Sequence, residues 1–378
     1  MPKIHKKTSL RHKSKPDVFL LVVFLILLVW GLFTVGTTSF SLSLERYNNV
    51  WYLFLHQLVM AAIGIMLGII AYKLPLKYLQ KIAPFLFLIS IILIFLVFVP
   101  KLGIESKGAH RWLNIFGLSF QPSEFLKVSF IIYLAAWLSS RSQKEKKQKE
   151  SKAFLLPFFV ILAVLFVGLI KQPDMTTLFI ICVVGTIMYF SSSAPWWHTG
   201  ILGGLGGALF LIYARLEPYR WNRIINLFNP HADPMGKGFQ VKQAAIAIGS
   251  GKAFGVGQGF SLGLSRQKFG FLPESVTDSI FAIIAEELGL LGAMSLIILF
   301  LLFCWQGLKI AKHSGQTFEG FLALGITGWI TLQAFANIGG ITGILPLGGV
   351  PLPFFSYGGS HIMAELVGIG LLLNISKR

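Results

Sequence analysis

The chain has 378 residues, 54% hydrophobic and only 13% charged, with a mean hydropathy of +0.72. A soluble domain carries about 25% charged residues, so a water-soluble enzyme is excluded; the two cysteines, Cys182 and Cys304, lie in separate apolar runs and build neither a disulfide framework nor a zinc site. The charge of +18 (33 basic against 15 acidic residues) has no soluble domain on which to form a nucleic-acid face, and reads as an orientation signal with affinity for anionic membrane lipids.

Apolar runs of about 20 residues, the length of a helix across a bilayer, recur along the chain. Only helices and closed barrels satisfy their backbone in lipid, and barrel strands would alternate in polarity, which these runs do not. The sequence predicts an all-α polytopic membrane protein with ten spans, at 17–36, 51–72, 82–99, 122–138, 154–170, 175–190, 195–213, 279–306, 318–341 and 356–375. Residues 1–16 form a basic tail and 17–378 a single transmembrane domain. The tail and first run resemble a signal peptide, but no small-residue cleavage site follows, so the first helix reads as retained.

Charge sets the orientation. The tail carries Lys3, Lys6, Lys7, Arg11, Lys13 and Lys15. The second loop carries Lys73, Lys77 and Lys81, the fourth Arg141, Lys144, Lys146, Lys147, Lys149 and Lys152, and the eighth Lys309 and Lys312; Lys377-Arg378 closes the chain. In a ten-span topology these share one side, which is then cytoplasmic, with both termini. The long loop 214–278 faces outward despite its basic residues, because loops longer than about 60 residues cross largely regardless of charge.

Polar residues at or within the spans are the functional candidates, since intramembrane charge is costly. In the third loop, Arg111-Trp112 suits a phosphate clamp beside a sugar or lipid surface, or equally an interfacial anchor. Glu124 and Lys127, three apart near the start of the fourth span, can pair on one helix face, as substrate ligands or as a self-neutralising structural pair. Asp174 occupies the fifth–sixth turn. In the long loop, Asp233 suits an Asx turn before Pro234, and Gln240 and Gln243 suit either sugar contacts or the lining of a re-entrant helix. Asp278 ends that loop after Arg266, Lys268 and Glu274: a carboxylate among cations, suited to a phosphate-bearing substrate, although Thr277 or Asp278 can equally cap the next helix. Glu286, Glu287 and Glu365 lie inside spans. The Gly/Pro-rich segment 343–361 is either a tight outer turn or broken backbone lining a cavity, with a helix near Ser356 whose amides can face an anion.

At these residues the chain resembles the SEDS family (shape, elongation, division and sporulation proteins). The resemblance rests on GAHRW at 108–112, QPSEFLK at 121–127, QPD at 172–174, NPHADPMGKGFQ at 229–240, AIGSG at 247–251, SRQKFGFLPESVTDSIFAIIAEELG at 265–289 and PLPFFSYGGS at 351–360. It runs over the whole chain after the tail and lies closer to the FtsW-like than to the RodA-like branch. Met175-Thr176 stands where Leu-Gly is common, Ser279 where Phe is frequent, and His361 where a second Ser is usual.

The resemblance implies a peptidoglycan glycosyltransferase in the bacterial cytoplasmic membrane, acting at the division septum. Its substrates are lipid II and the growing strand on undecaprenyl diphosphate. Its partners are a class B penicillin-binding protein (a transpeptidase) and other divisome proteins. It places the catalytic Asp at Asp278 and motif residues at Arg111, Trp112, Glu124 and Lys127; Asp233, Gln240, Lys268 and Glu274 are further candidate substrate contacts. No cofactor is required by this reading, with a divalent cation, Mg2+ or Mn2+, as an optional ligand of the diphosphate. Chemistry favours one base: glycosidases need two carboxylates because an alkoxide leaves poorly, whereas a diphosphate leaves readily and needs cations around it. Arg111, Lys127 and Lys268 are the cations available.

A lipid II flippase is the first rival, suited by broken helices and buried acids, but the chain has no clear internal repeat and its best acid sits at an outer edge. A non-catalytic scaffold is the second; it predicts that Asp278→Ala is harmless.

Overall fold

The computed structural model describes residues 15–377 apart from 101, 107–108, 116–117, 146–154, 173, 193–196, 199, 201–202, 205, 208–214, 216–220, 222–224, 226–236, 258–264 and 266. The fold is mostly helical. α1 (Val18–Thr38) starts at Asp17, whose carboxylate accepts the Leu20 amide at 2.8 Å. The short α2 (Phe40–Tyr47) leads to α3 (Tyr52–Lys73) and α4 (Leu76–Leu96). α5 (Pro122–Glu145), α6 (Leu155–Lys171) and α7 (Met175–Ser191) follow, then α8 (Lys237–Ser250), α9 (Ile280–Ser314), α10 (Phe318–Ile341) and α11 (Gly359–Ile375).

Among the described residues, α1, α3, α4, α9 and α10 are long and apolar enough to cross a membrane, and α6, α7 and α11 are shorter apolar helices. Nine expected spans fall on helices, these eight and α5, with shifted ends: the third starts at Leu76 and runs through Pro84, and the tenth starts at Gly359. The expected span 195–213 lies almost wholly outside the described residues.

Two features depart from the sequence reading. The third loop is an antiparallel sheet, β1 (Gly103–Ser106), β2 (Ala109–Ile115) and β3 (Leu118–Phe120), in the order β1-β2-β3. Its short stretches alternate too briefly to register beside 20-residue apolar runs. The long loop contains α8, the helix that the sequence offered as one alternative for Gln240 and Gln243. Finally, α9 is two helices joined at Gly289, where φ is 66° and ψ −163°.

α10 is the most enclosed of the long helices and carries Trp329 without exposure. α3 and α11 pack backbone to backbone: a Cβ on Gly370 would lie 2.1 Å from the Gly68 carbonyl oxygen. Small residues permit such approach where lipid offers helices no hydrophobic drive to associate. Outward-facing Val22, Leu25, Ile26 and Val29 of α1 are exposed, as a lipid-facing surface requires.

The two ends of the bundle are chemically distinct. At one, Asp17 accepts from Gln306 and donates its amide to Ser376, while Gln316 bridges Ser142 and Ser191. At the other, the sheet, the start of α7, residues 273–279 and residues 348–358 converge.

Candidate functional site

Residues 350–356 are largely buried irregular backbone, which survives inside a helical bundle only where neighbours take its hydrogen bonds, whereas Thr342, Ile344, Leu345 and Gly349 just before them are exposed. Phe354 and Phe355 are fully buried. The Phe354 amide donates to Glu365 Oε2 at 2.9 Å, Gln333 donates to the Pro351 carbonyl at 3.2 Å, and the Gly358 amide donates to Gln57 Oε1 at 3.0 Å. Phe354 has φ 67°, a strained position for a side chain; the buried Glu365 carboxylate holds it. α1 approaches this turn so closely that a Cβ on Gly31 would lie 2.2 Å from the Phe354 carbonyl oxygen. The segment thus combines an exposed turn at 342–345 with broken backbone folded into the bundle at 350–356. The start of α11 is met by Gln57 and by the Gln121 amide, which donates to Ser360 Oγ at 2.9 Å.

Asp278 lies against this segment and is half-buried. It is not the helix cap: the cap position of α9 is Ser279, which makes no capping bond through its side chain. Instead Ser279 Oγ donates to the Pro273 carbonyl at 2.9 Å and accepts from Gln240 Nε2 of α8 at 2.8 Å. Ser356 Oγ donates to the Thr277 carbonyl at 2.6 Å, and the Tyr357 amide to the Val276 carbonyl at 2.8 Å. Asn337 of α10 donates through Nδ2 to the carbonyls of Asp278 (2.7 Å) and Val350 (2.6 Å). Glu274, at φ 53°, accepts the Thr277 hydroxyl at 2.9 Å and shapes the turn leading into Asp278. Tyr357 Oη shares a hydrogen bond with His56 Nδ1 at 3.0 Å; burial, with Tyr47 and Tyr52 nearby, pushes its hydroxyl up to about 12.

Arg111 joins this assembly through the α6–α7 turn. Its Nε donates to the Gln172 carbonyl at 2.9 Å, and Gln172 Nε2 donates to the Ile94 carbonyl at 2.8 Å. Asp174 caps α7 by accepting the Thr177 amide at 3.1 Å. In the same turn Thr176 Oγ1 donates to the Gly348 carbonyl at 2.6 Å. Beside it, Gly349 has φ 73°, and a Cβ there would meet Asp278 Oδ2 at 3.3 Å. Trp112 is half-buried on β2, opposite Ile104.

Glu124 and Lys127 pair at 2.8 Å, both nearly without exposure. Lys127 Nζ also donates to Gln333 Oε1 at 2.8 Å and lies 5.2 Å from the centre of the Trp329 ring. Gln333 in turn donates to Glu365 Oε1 at 3.3 Å. Lys268 is 4% exposed and pairs with Glu287 at 2.8 Å, and Ser265 donates to Glu286. These two lysines are thus engaged in the interior. Asp233 and Arg266 lie outside the described residues.

Sequence reasoning missed Gln333, Asn337, Thr176 and Gly349. The signal for the first two was present: amides four residues apart in an otherwise apolar helix share one face and must be bonded when buried. Among the described residues no group of three or more His, Cys, Asp or Glu side chains could hold a metal ion.

A family described as cell cycle protein, comprising FtsW, RodA and SpoVE, matches residues 17–378. The stage V sporulation protein E of Bacillus subtilis is 35% identical over 365 residues, covering 97% of this chain and 98% of that protein. A probable peptidoglycan glycosyltransferase FtsW of Coxiella burnetii is 36% identical over 363 residues, covering 95% and 96%. Among solved structures, a chain from a study of how a peptidoglycan synthase complex coordinates polymerization and crosslinking superposes with a TM-score of 0.76. It is 27% identical, covering 96% of this chain and 97% of that one.

Proposed function

The chain belongs to the FtsW/RodA/SpoVE family of cell cycle proteins, and from that premise we propose that it is a peptidoglycan glycosyltransferase of the FtsW-like kind, polymerising glycan strands from lipid II at the division septum. Asp278 is its general base. The acceptor sugar hydroxyl gives its proton to the Asp278 carboxylate while its oxygen bonds the donor's anomeric carbon. The bond from that carbon to the diphosphate breaks, and the undecaprenyl diphosphate leaves with the electron pair, inverting the centre.

One observation carries this reading: Asp278 is held by Asn337 through its main chain, and by Gln240 and Ser356 through its chain neighbours, with a glycine facing its carboxylate. A base held in this way needs no reorganisation at the moment of reaction. Arg111, half-buried on β2 and tied to the α6–α7 turn, is the cation best disposed to meet the departing diphosphate, with Trp112 beside it for sugar or lipid. Lys127 and Lys268, held by Glu124 and Glu287, act by fixing the walls of the site. Gln240 and Glu274 shape the Asp278 turn, and Asp233 is a further substrate contact in the outer loop. A bound divalent cation would neutralise diphosphate charge.

The spans number ten, both termini are cytoplasmic and the 214–278 loop is outside, so the reaction runs at the outer face of the cytoplasmic membrane. A class B penicillin-binding protein, whose transpeptidase domain crosslinks the strand, is the proposed partner. The test is strand synthesis from purified lipid II by wild type and Asp278→Asn, each with and without that partner. A base contributes about 10²–10⁴-fold, so the variant should fold normally yet make no measurable strand; polymerisation at the wild-type rate would overturn the assignment.

A further inference from the structure

We propose that Asn337 is a positioning residue for Asp278, working with Thr176 to hold the base beside Gly349 so that the acceptor sugar enters through the space a side chain at 349 would fill. The inference rests on the polymerase reading of the site.

Asn337 is 3% exposed within α10, where a side-chain amide is costly unless its hydrogen bonds are made. Both hydrogens of its Nδ2 are spent on main-chain carbonyls from two different segments. One belongs to Asp278 itself, at 2.7 Å, and the other to Val350, at 2.6 Å. A single planar group therefore sets the spacing between the base and residues 348–350. Next to it, Thr176 Oγ1 donates to the Gly348 carbonyl at 2.6 Å. Gly349 is thus flanked by two carbonyls, one held from α10 and the other from α7.

The conformation between those clamps is one that only glycine adopts without strain, φ being 73°. A Cβ built there meets Asp278 Oδ2 at 3.3 Å and, chain neighbours aside, no other described atom within 4 Å. The glycine therefore leaves room beside the carboxylate oxygen, room that a hydroxyl-bearing ring can use. Releasing either clamp lets residues 348–350 and the base drift apart. Displacements of about 1 Å cost on the order of 10²-fold in rate without removing any reacting group.

Steady-state strand synthesis from lipid II by the full chain with its transpeptidase partner tests this, with Asn337→Ala, the isosteric Asn337→Asp, Thr176→Val, Thr176→Ser and Asp278→Asn compared. Asn337→Asp keeps the shape and leaves at most one donor for the two carbonyls, and Thr176→Val keeps the shape and removes the hydroxyl. The expected result is a fall in kcat of about 10²-fold for both Asn337 variants. Thr176→Val should lower kcat by about 10-fold, with Thr176→Ser restoring it and KM for lipid II staying within about twofold throughout. A loss confined to KM, or one that only follows the folded fraction measured by thermal unfolding, overturns the proposal. Should the Asn337 variants not fold, the Thr176→Val and Thr176→Ser pair decides it. Full-rate Asn337 and Thr176 variants beside an inactive Asp278→Asn overturn the positioning role alone. An active Asp278→Asn overturns the polymerase reading and this inference with it.

Discussion

Lys127 illustrates how a residue's role depends on what encloses it. Three residues from Glu124, it reads in sequence as half of a helix-surface pair, yet its ammonium joins Glu124, Gln333 and the Trp329 ring in the interior. Removing one member of a buried pair strands the other's charge, at about 3–5 kcal/mol. Lys127→Ala should therefore destabilise the protein by that amount in denaturant unfolding, and a second change, Glu124→Gln, should recover most of it. If Lys127→Ala unfolds like the wild type, the interior role assigned here is wrong. Gly349 supplies the opposite case, a residue whose value is empty space. Gly349→Ala forces a side chain into a left-handed conformation, worth about 1–2 kcal/mol, and sets a methyl against Asp278 Oδ2. Strand synthesis should fall by far more than the shift in thermal midpoint accounts for; a rate loss no larger than the stability loss would speak against sugar entry at that point.

Among the elements, the break in α9 has a physical logic. At Gly289 the helix gives up part of its own ladder, and the loop after α8 takes it over. Val256 and Gly257 donate to the carbonyls of Glu286 and Glu287 at 3.0 Å each, and the amides of Leu290 and Leu291 donate to Lys252 and Ala253 at 2.8 and 3.2 Å. The two chains approach so closely that a Cβ on Gly289 would lie 2.4 Å from the Gly255 nitrogen. Lys268–Glu287 and Ser265–Glu286 fasten the same junction from the turn preceding Asp278. Residues 290–314 alone run about 37 Å, enough to cross a bilayer, which frees 280–288 to serve as the buried mount of the site. Gly289→Ala should cost about 1–3 kcal/mol through overpacking, read as a lower thermal midpoint in detergent. An unchanged midpoint would mean that the junction tolerates a side chain.

For the whole molecule, the testable property is its direction in the membrane. Asn48 and Lys252 are exposed at the end where the site lies, and Gln316 at the opposite end. With Cys182 and Cys304 replaced, single cysteines at 48 and 252 should react with an impermeant thiol reagent on intact cells, and one at 316 only after permeabilisation. The reverse pattern would invert the proposed topology.

Helix positions were legible in the sequence because lipid imposes one demand, about 20 apolar residues with an internally satisfied backbone, that composition displays directly. The three-residue spacing of Glu124 and Lys127 likewise announced their pairing before any coordinates. What sequence could not contain is which carbonyl an amide on α10 would reach. Asn337 touches Asp278 and Val350 across separations of 59 and 13 residues, and Thr176 touches Gly348 across 172. Such contacts follow from how buried helices stack and where broken backbone must find partners. Hydrophobic periodicity reports which face of a helix is inward, but only packing decides which neighbour that face meets.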